Sequence, residues 1–251
     1  MMEAYGQKFA RFYNLKCSGF ANEVGPRILD FYKTTAIGLS NTKILDLCCG
    51  AGHLSVILLQ HGYQVTGLDL SESMLKYARI NAQPYIQAGQ AQFVHDDATK
   101  FELGERFGLV ISTYDALNHL EDEEALKACF ERVYQVSGGY FIFDLNTQKG
   151  LQRWNSIQVD ESEEMIIIVH KTFYQKLGKA RAKFSCFLRT TDGLYERVEE
   201  SVFNTLFVMD KVKEALLETG WQEIYFARIS NLREPIAEPE QERRVFIVAR
   251  K

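Results

Sequence analysis

Apolar runs and amphipathic stretches alternate along the middle of this 251-residue chain. Short apolar segments are separated by stretches whose apolar residues recur every three or four positions, the spacing of a helix that buries one face. The predicted strands cover 43–47, 64–69, 91–95, 107–112 and 140–144, and the predicted helices cover 52–61, 72–82 and 121–136. This alternation favours a parallel sheet with helices on both faces.

The hydrophobic pattern differs in the segments before and after that region of the chain. Residues 3–40 are amphipathic at helical spacing, which predicts N-terminal helices. The segment from roughly 160 to 206 is rich in β-branched and aromatic residues, and Asp192-Gly193 within it is a hairpin signal. We therefore expect a small antiparallel sheet in this segment.

In the last part of the chain, apolar strands and an amphipathic helix are predicted again. A helix is predicted over 209–219, and strands are predicted over 222–229 and 244–250. Pro235 and Pro239, which lie among several glutamates, predict a loop between these two strands.

Composition narrows the class of protein. The net charge is −4 and no block of Lys and Arg occurs, so nothing favours a nucleic-acid partner. The five cysteines are odd in number and lack metal-type spacing, which is typical of a reduced protein without a metal site. No signal-peptide pattern or membrane-spanning apolar run is visible. We expect a cytoplasmic protein that is a monomer or homodimer.

The stretch Asp46-Leu-Cys-Cys-Gly-Ala-Gly52 has the order of a strand end, a glycine-rich turn and a helix start. Glycines let backbone N–H groups approach a ligand closely. A dinucleotide fingerprint would need a third glycine where Ser55 stands, so a nicotinamide dehydrogenase is disfavoured.

Three acids mark the ends of the first three predicted strands: Asp46, Asp69 and Asp97. A carboxylate before the glycine turn can hold an ammonium group. One at the second strand end can accept from both ribose hydroxyls, and one after the third can accept from an adenine amino group. Together they describe a ligand with an amine, a ribose and an adenine, and without a pyrophosphate.

Here the chain resembles the class I S-adenosylmethionine-dependent methyltransferases, over roughly residues 40–150 and 206–251. The segments that carry the resemblance are Ile44–Gly52, Gly67–Met74, Phe93–Ala98, Gly138–Asp144 and Thr219–Trp221. The β-rich insertion, with Tyr114–Leu120 and Asp144–Thr147, looks like small-molecule enzymes such as the glycine and amino-sugar N-methyltransferases.

The resemblance implies a doubly wound, seven-stranded, mostly parallel α/β sheet whose last strand is antiparallel, with an antiparallel β insertion after strand five. It also implies three functional parts. Residues 1–40 would form a helical lid, residues 41–155 and 206–251 the cofactor-binding core, and residues 156–205 an insertion over the substrate pocket.

The resemblance also implies S-adenosylmethionine as the cofactor. The residues expected to bind it are Tyr13, Asp46, Cys48, Gly50, Gly52, Asp69, Leu70, Asp97, Ala98 and Tyr114. Two positions depart from the family pattern. Cys48 stands where a glycine is usual, and Gly108 stands where an aspartate often opens the fourth strand.

Methyl transfer from a sulfonium is an in-line displacement that depends mainly on alignment. A base is needed only if the nucleophile arrives protonated. Ligands of open parallel sheets lie at the carboxyl ends of the strands, so Asp115 and His119, after strand four, are the candidate catalytic residues. For His119 and its neighbour Asn118, capping of the following helix is an equally open interpretation.

The leading hypothesis is therefore a methyltransferase that acts on a nitrogen or oxygen of a small-molecule acceptor. RNA or protein methylation on the same fold is an alternative, and so is a protein that binds S-adenosylmethionine without turnover. The acidic net charge counts against RNA, whereas product formation separates an enzyme from a binding protein.

Overall fold

The computed structural model describes residues 5–251. The first four residues of the predicted lid, 1–4, lie outside the described residues. The helices are α1 (Gln7–Lys16), α2 (Gly19–Tyr32), α3 (Ala36–Ser40), α4 (His53–Gln60), α5 (Glu72–Asn81), α6 (Gln83–Gln87), α7 (Glu123–Val136), α8 (Gln148–Leu151) and α9 (Met209–Glu218). The strands are β1 (Lys43–Leu47), β2 (Gln64–Asp69), β3 (Ala91–His95), β4 (Phe107–Ser112), β5 (Ser137–Asn146), β6 (Ser156–Ser162), β7 (Met165–Tyr174), β8 (Lys179–Arg189), β9 (Tyr195–Thr205), β10 (Glu223–Arg228), β11 (Asn231–Pro235) and β12 (Arg244–Arg250).

The central sheet has the strand order β11-β10-β12-β5-β4-β1-β2-β3. Strands β3, β2, β1, β4 and β5 pair in parallel, and β12 runs antiparallel between β5 and β10. The prediction of a doubly wound, mostly parallel α/β sheet is confirmed. Because β1 lies between β2 and β4, chain connections diverge at its carboxyl end, which is where such sheets bind ligands.

The predicted number of seven strands is wrong, because the sheet has eight. The eighth is β11, which lies in the segment predicted as a loop and pairs antiparallel with β10 across a register shift. β11 is the outer strand, so Pro235 at its end leaves no central ladder bond unmade. The prolines and glutamates that indicated a loop are compatible with this short, irregular edge strand.

The two faces of the central sheet carry separate apolar layers. On one face α7 and α9 pack against buried residues such as Phe141 and Phe143 of β5. On the other face α2 and α4 cover Ile44 of β1 and Ile111 of β4. This double layer explains why the central strands are continuous apolar runs instead of alternating ones.

A second sheet, of order β6-β7-β8-β9, is antiparallel throughout. It spans Ser156–Thr205, directly after the β5 region of the chain. Helix α1 packs between this sheet and the core. Its Phe9 and Phe12 join the apolar cluster of β7, β8 and β9, while its Ala10 contacts Ala51 and Met74 of the core.

Within residues 5–251, no helix has both the length and the apolar character that crossing a membrane requires.

Candidate active site

The glycine-rich turn after β1 depends on three left-handed residues. Cys48, Gly50 and Gly52 have φ values of 59°, 55° and 73°. A Cβ at Gly50 would lie 3.2 Å from Met74 Cε and 3.7 Å from the Tyr13 ring, so the glycine keeps the space between the turn and α1 clear. Cys48 adopts the same backbone region with a side chain, a conformation that glycine adopts at lower cost.

Asp69, at the end of β2, accepts backbone hydrogen bonds from both neighbouring loops. Gly50 N–H donates to Oδ2 at 2.7 Å and Ser71 N–H donates to Oδ1 at 2.9 Å. Each carboxylate oxygen accepts two hydrogen bonds readily, so both can still accept from a hydroxyl. Ser71 also caps α5, as its hydroxyl accepts from Met74 N–H. The geometry fits the role predicted for Asp69, a contact with the two ribose hydroxyls.

Asp46 is the most buried of the three acids, with 2% of its surface exposed. Burial raises the pKa of its carboxyl to about 7, opposed by the hydroxyl of Ser55, which donates to Oδ2 at 2.5 Å. Asp46 has one side-chain donor and, among residues 5–251, no ion pair, so its carboxyl has unused capacity for a positive group. Ser55, which stands where a dinucleotide fingerprint would have its third glycine, thus donates a hydrogen bond to the Asp46 carboxyl.

The adenine-contact residues lie after β2 and β3. Leu70 is 64% exposed and Ala98 is buried. Asp97 Oδ1 accepts from both the backbone N–H and the hydroxyl of Thr99, at 2.9 and 2.7 Å. Burial raises the pKa of Asp97, but its bonds with Thr99 and the nearby Lys100 outweigh this and hold that pKa below its usual range. Asp97 therefore keeps an ionised carboxylate whose Oδ2 faces only Lys100 among the described residues.

Helix α1 is fastened to the glycine turn by side-chain hydrogen bonds. His53 Nε2 donates to Asn14 O at 3.1 Å, and Asn81 Nδ2 donates to Asn14 Oδ1 at 2.7 Å and to Ala51 O at 2.9 Å. Tyr13 lies beside this contact, with its ring stacked 6.3 Å from that of His53. Burial raises the pKa of Tyr13, so its hydroxyl is neutral.

A cavity of about 40 Å³ lies under α1 and α2, at the carboxyl ends of β1 and β4. Its wall includes Asp46 and Cys48 from the turn, Tyr13 and Phe20 from the N-terminal helices, and Tyr114 after β4. Four of the predicted cofactor residues, Tyr13, Asp46, Cys48 and Tyr114, therefore meet around one space.

Tyr114 and Asp115 follow β4 in consecutive left-handed conformations, with φ values of 68° and 51°. Such conformations cost non-glycine residues about 1–3 kcal/mol each. Their N–H groups both donate to the buried carboxylate of Asp144, at 2.6 Å from Tyr114 and 3.0 Å from Asp115. The turn wraps around this carboxylate.

Arg244, at the start of β12, was not among the predicted site residues. Its guanidinium pairs with the Asp144 carboxylate and, at 2.6 Å, with Asp115 Oδ1. Asn204 Nδ2 donates to Asp115 Oδ2 at 2.9 Å. Both oxygens of Asp115, a predicted catalytic residue, are thus engaged within the protein. No local sequence signal marks Arg244, because its partners lie 100 or more positions away.

His119 lies at the exposed end of a short 3-10 turn, Ala116–His119. Nδ1 lies 2.7 Å from Phe203 O and, since a carbonyl only accepts, Nδ1 carries the proton. Nε2 then accepts from the Tyr5 hydroxyl at 3.1 Å. The alternative that His119 or Asn118 caps the next helix is wrong, because Asp122 caps α7.

Comparison with known proteins agrees with this site. Residues 44–139 match the family described as the methyltransferase domain. A putative methyltransferase of Geobacillus sp. is 30% identical over 213 residues, which cover 83% of this chain and 84% of that protein. The chain belongs to the methyltransferase family. The prediction of a methyltransferase is confirmed.

Other methyltransferases share the sequence or the fold more broadly. The ubiquinone biosynthesis O-methyltransferase of Pasteurella multocida is 30% identical over 183 residues, 69% of this chain and 71% of that one. The S-adenosylmethionine-dependent methyltransferase of Clostridium acetobutylicum superposes with a TM-score of 0.79 at 21% identity, over 97% of both chains. A sugar N-methyltransferase of Streptoalloteichus sp. gives 0.76 at 19% identity, over 100% of this chain and 95% of that one.

Proposed function

We propose that this methyltransferase transfers a methyl group from S-adenosylmethionine to a nitrogen or oxygen of a small-molecule acceptor. The observation that carries the proposal is the covering of the site: α1 lies over the cavity beside Asp46 and Cys48, and α1 packs in turn under the antiparallel sheet. A site covered in this way suits a small acceptor better than a nucleic acid or a folded protein.

The cofactor would be held by the acids and glycines at the strand ends. Asp46 would face the ammonium group, Asp69 the ribose hydroxyls, and Asp97 with Ala98 the adenine edge. Leu70 would cover the adenine face, while Cys48, Gly50 and Gly52 shape the turn, with Tyr13 and Tyr114 closing the methionine end. The bound cofactor supplies a methyl group on a sulfonium already activated toward displacement.

The chain's own contribution is alignment and exclusion of water, which can lower a barrier by roughly 7–11 kcal/mol. Helix α1 would act as the lid and β6–β9 as the roof of the acceptor pocket. Of the two candidate catalytic residues, His119 directs Nε2 at the Tyr5 hydroxyl, and an acceptor that displaced this hydroxyl would meet that ring nitrogen. Asp115, whose oxygens are both engaged, would act through the turn that it helps to form.

A screen of acceptors tests the proposal. Purified protein is incubated with S-adenosylmethionine and with amino sugars, sugar nucleotides, small amines or catechol-type phenols, and S-adenosylhomocysteine formation is measured. The similar proteins include a sugar N-methyltransferase and a ubiquinone biosynthesis O-methyltransferase, so both nitrogen and oxygen nucleophiles should be tested. Turnover with one of these classes supports the proposal. Turnover only with RNA or protein would overturn it.

A further inference from the structure

We infer that Arg244 is a positioning residue for methyl transfer: it holds the Tyr114–Asp115 turn and thereby fixes the Tyr114 ring in the cavity wall. The inference rests on the proposed function, since the cavity is taken as the place of transfer. Arg244 is not offered as a catalytic residue, because its contacts are all with this chain.

The first support is the charge arrangement behind the turn. Asp144 has a fully buried side chain, and Asp115 has one that is 12% exposed. Without a shared cation, these two carboxylates would repel each other within one hydrogen-bonded turn. Arg244 is the cation that bridges them, and among the described residues no other Lys or Arg forms an ion pair with either.

The second support is the packing on the outer side of the turn. The Arg244 guanidinium lies 4.8 Å from the centre of the Phe20 ring and 5.9 Å from that of Tyr114. The rings of Phe20 and Tyr114 stack with centroids 4.7 Å apart and an interplanar angle of 14°. The Arg244 guanidinium therefore contacts the Asp115 carboxylate and the Tyr114 ring of the turn, and the Asp144 carboxylate of β5. It also links the turn to Phe20 of α2.

The shape of the guanidinium matters for this double contact. It offers several N–H donors in one plane, so it can bind two carboxylates and lie against an aromatic ring at once. A lysine ammonium is a single point charge on a flexible chain. We therefore expect Arg244→Lys to keep the charge and lose the positioning.

The experiment compares Arg244→Lys and Arg244→Ala with wild type. Arg250→Ala serves as the control, because Arg250 lies on the same strand but forms its ion pair with the exposed Glu223 and lies over the Tyr140 ring, away from the Tyr114–Asp115 turn. Amide hydrogen exchange is followed at residues 114–117, together with calorimetric affinity for S-adenosylhomocysteine and kcat for an acceptor found in the screen. Guanidinium chloride at a non-denaturing concentration is added to Arg244→Ala to replace the missing group.

We expect amide exchange at residues 114–117 to accelerate by about tenfold or more in both Arg244 variants. In these variants the turn can open without breaking the ion pairs that Arg244 makes with Asp115 and Asp144. We expect kcat to fall by about 100-fold, the loss that a misplacement of about 1 Å can cause. The affinity for S-adenosylhomocysteine should fall less than kcat, since only the proposed Tyr114 contact is disturbed, whereas Asp46, Asp69 and Asp97 are held by other groups. Added guanidinium should partly restore kcat in Arg244→Ala.

Unchanged exchange in both variants would overturn the inference, whether or not an acceptor is known. Accelerated exchange with unchanged kcat would overturn the role in transfer, and so would a loss of S-adenosylhomocysteine affinity as large as the loss of kcat. If wild type shows no turnover with any acceptor, the proposed function fails, while the exchange result still decides whether Arg244 holds the turn.

Discussion

The Gly50 N–H donates a 2.7 Å hydrogen bond to Oδ2 of Asp69. This bond links the turn after β1 to the end of β2, two strands that are neighbours in the sheet. The acid at the second strand end, which we propose contacts the ribose, therefore has a structural role as well. It also holds the glycine turn in the conformation that forms one side of the cavity.

Asp69→Ala removes both roles of this carboxylate. We expect the affinity for S-adenosylmethionine to fall by at least about tenfold, the equivalent of 1.4 kcal/mol, because two ribose contacts and the Gly50 anchor are lost together. Calorimetric titration measures the change. Asp160→Ala, in an exposed position of β6, is the control and should leave the affinity unchanged. Wild-type affinity in Asp69→Ala would remove Asp69 from the site.

The pKa of Asp46 predicts a pH dependence of cofactor binding. Burial raises this pKa from 3.8 to about 7, so Asp46 is largely protonated below pH 7 and ionised above it. An ammonium group binds the ionised form better, so the affinity should rise as the pH increases through 7, with release of protons on binding. Titration in buffers of different ionisation enthalpy measures that release. In Asp46→Asn the dependence should disappear, and its persistence would assign the titration to another group.

The same pKa has a consequence for stability. Asp46 has a higher pKa in the folded state than the unfolded value of 3.8, so the folded state binds more protons between these values. The free energy of unfolding should therefore fall as the pH rises from about 4 to 7 through this group, at up to about 1.4 kcal/mol per pH unit. Comparing urea unfolding of wild type with Asp46→Asn isolates this contribution.

Asn14 attaches α1, the proposed lid helix, to the glycine turn. In Asn14→Ala the hydrogen bonds from Asn81 and His53 to the Asn14 side chain are lost, whereas that from His53 to the backbone carbonyl remains. We expect S-adenosylhomocysteine to dissociate several-fold faster with little change in melting temperature. Stopped-flow displacement measures the rate. Lys16→Ala, an exposed change on the same helix, is the control, and equal rates in all three proteins would contradict the lid role.

The close packing of Tyr32 against Gly108 explains why a glycine stands where the family pattern often has an aspartate. A Cβ at this position would lie 2.1 Å from the Tyr32 hydroxyl, which donates to Asn41 O at 2.8 Å. We expect Gly108→Ala to destabilise the fold by about 1–3 kcal/mol, the usual cost of overpacking. Denaturant unfolding measures this. Gly104→Ala has nothing within 4 Å of its new Cβ and should be near neutral. Equal stability of both variants would show that Tyr32 moves aside freely.

The parts of the site that sequence predicted are those built by local patterns. A strand, a glycine turn and a helix follow one another within 43–60, and parallel pairing then brings the ends of β1, β2 and β3 to one edge. The hairpin signal and β-branched residues likewise predicted antiparallel strands in the insertion. The number of strands was missed because β11 contains residues typical of loops and pairs only at the sheet edge.

The contacts that sequence could not predict are long-range. Arg244 meets Asp115 and Asp144 across more than 95 intervening residues, and Tyr5 meets His119 across more than 110. Periodicity places each residue on its own element but does not specify which side chains meet between elements. Asp115 looked like a free carboxylate at a strand end because its partner belongs to the last strand of the chain.

Calorimetric titration of the wild-type protein with S-adenosylmethionine, S-adenosylhomocysteine and NAD tests the proposed site most directly. We expect micromolar binding of both adenosyl compounds, because Asp46, Asp69 and Asp97 match an amine, a ribose and an adenine, and no binding of NAD. Absence of binding by both adenosyl compounds, or tight binding of NAD, would contradict the assignment of the Asp46–Gly52 turn.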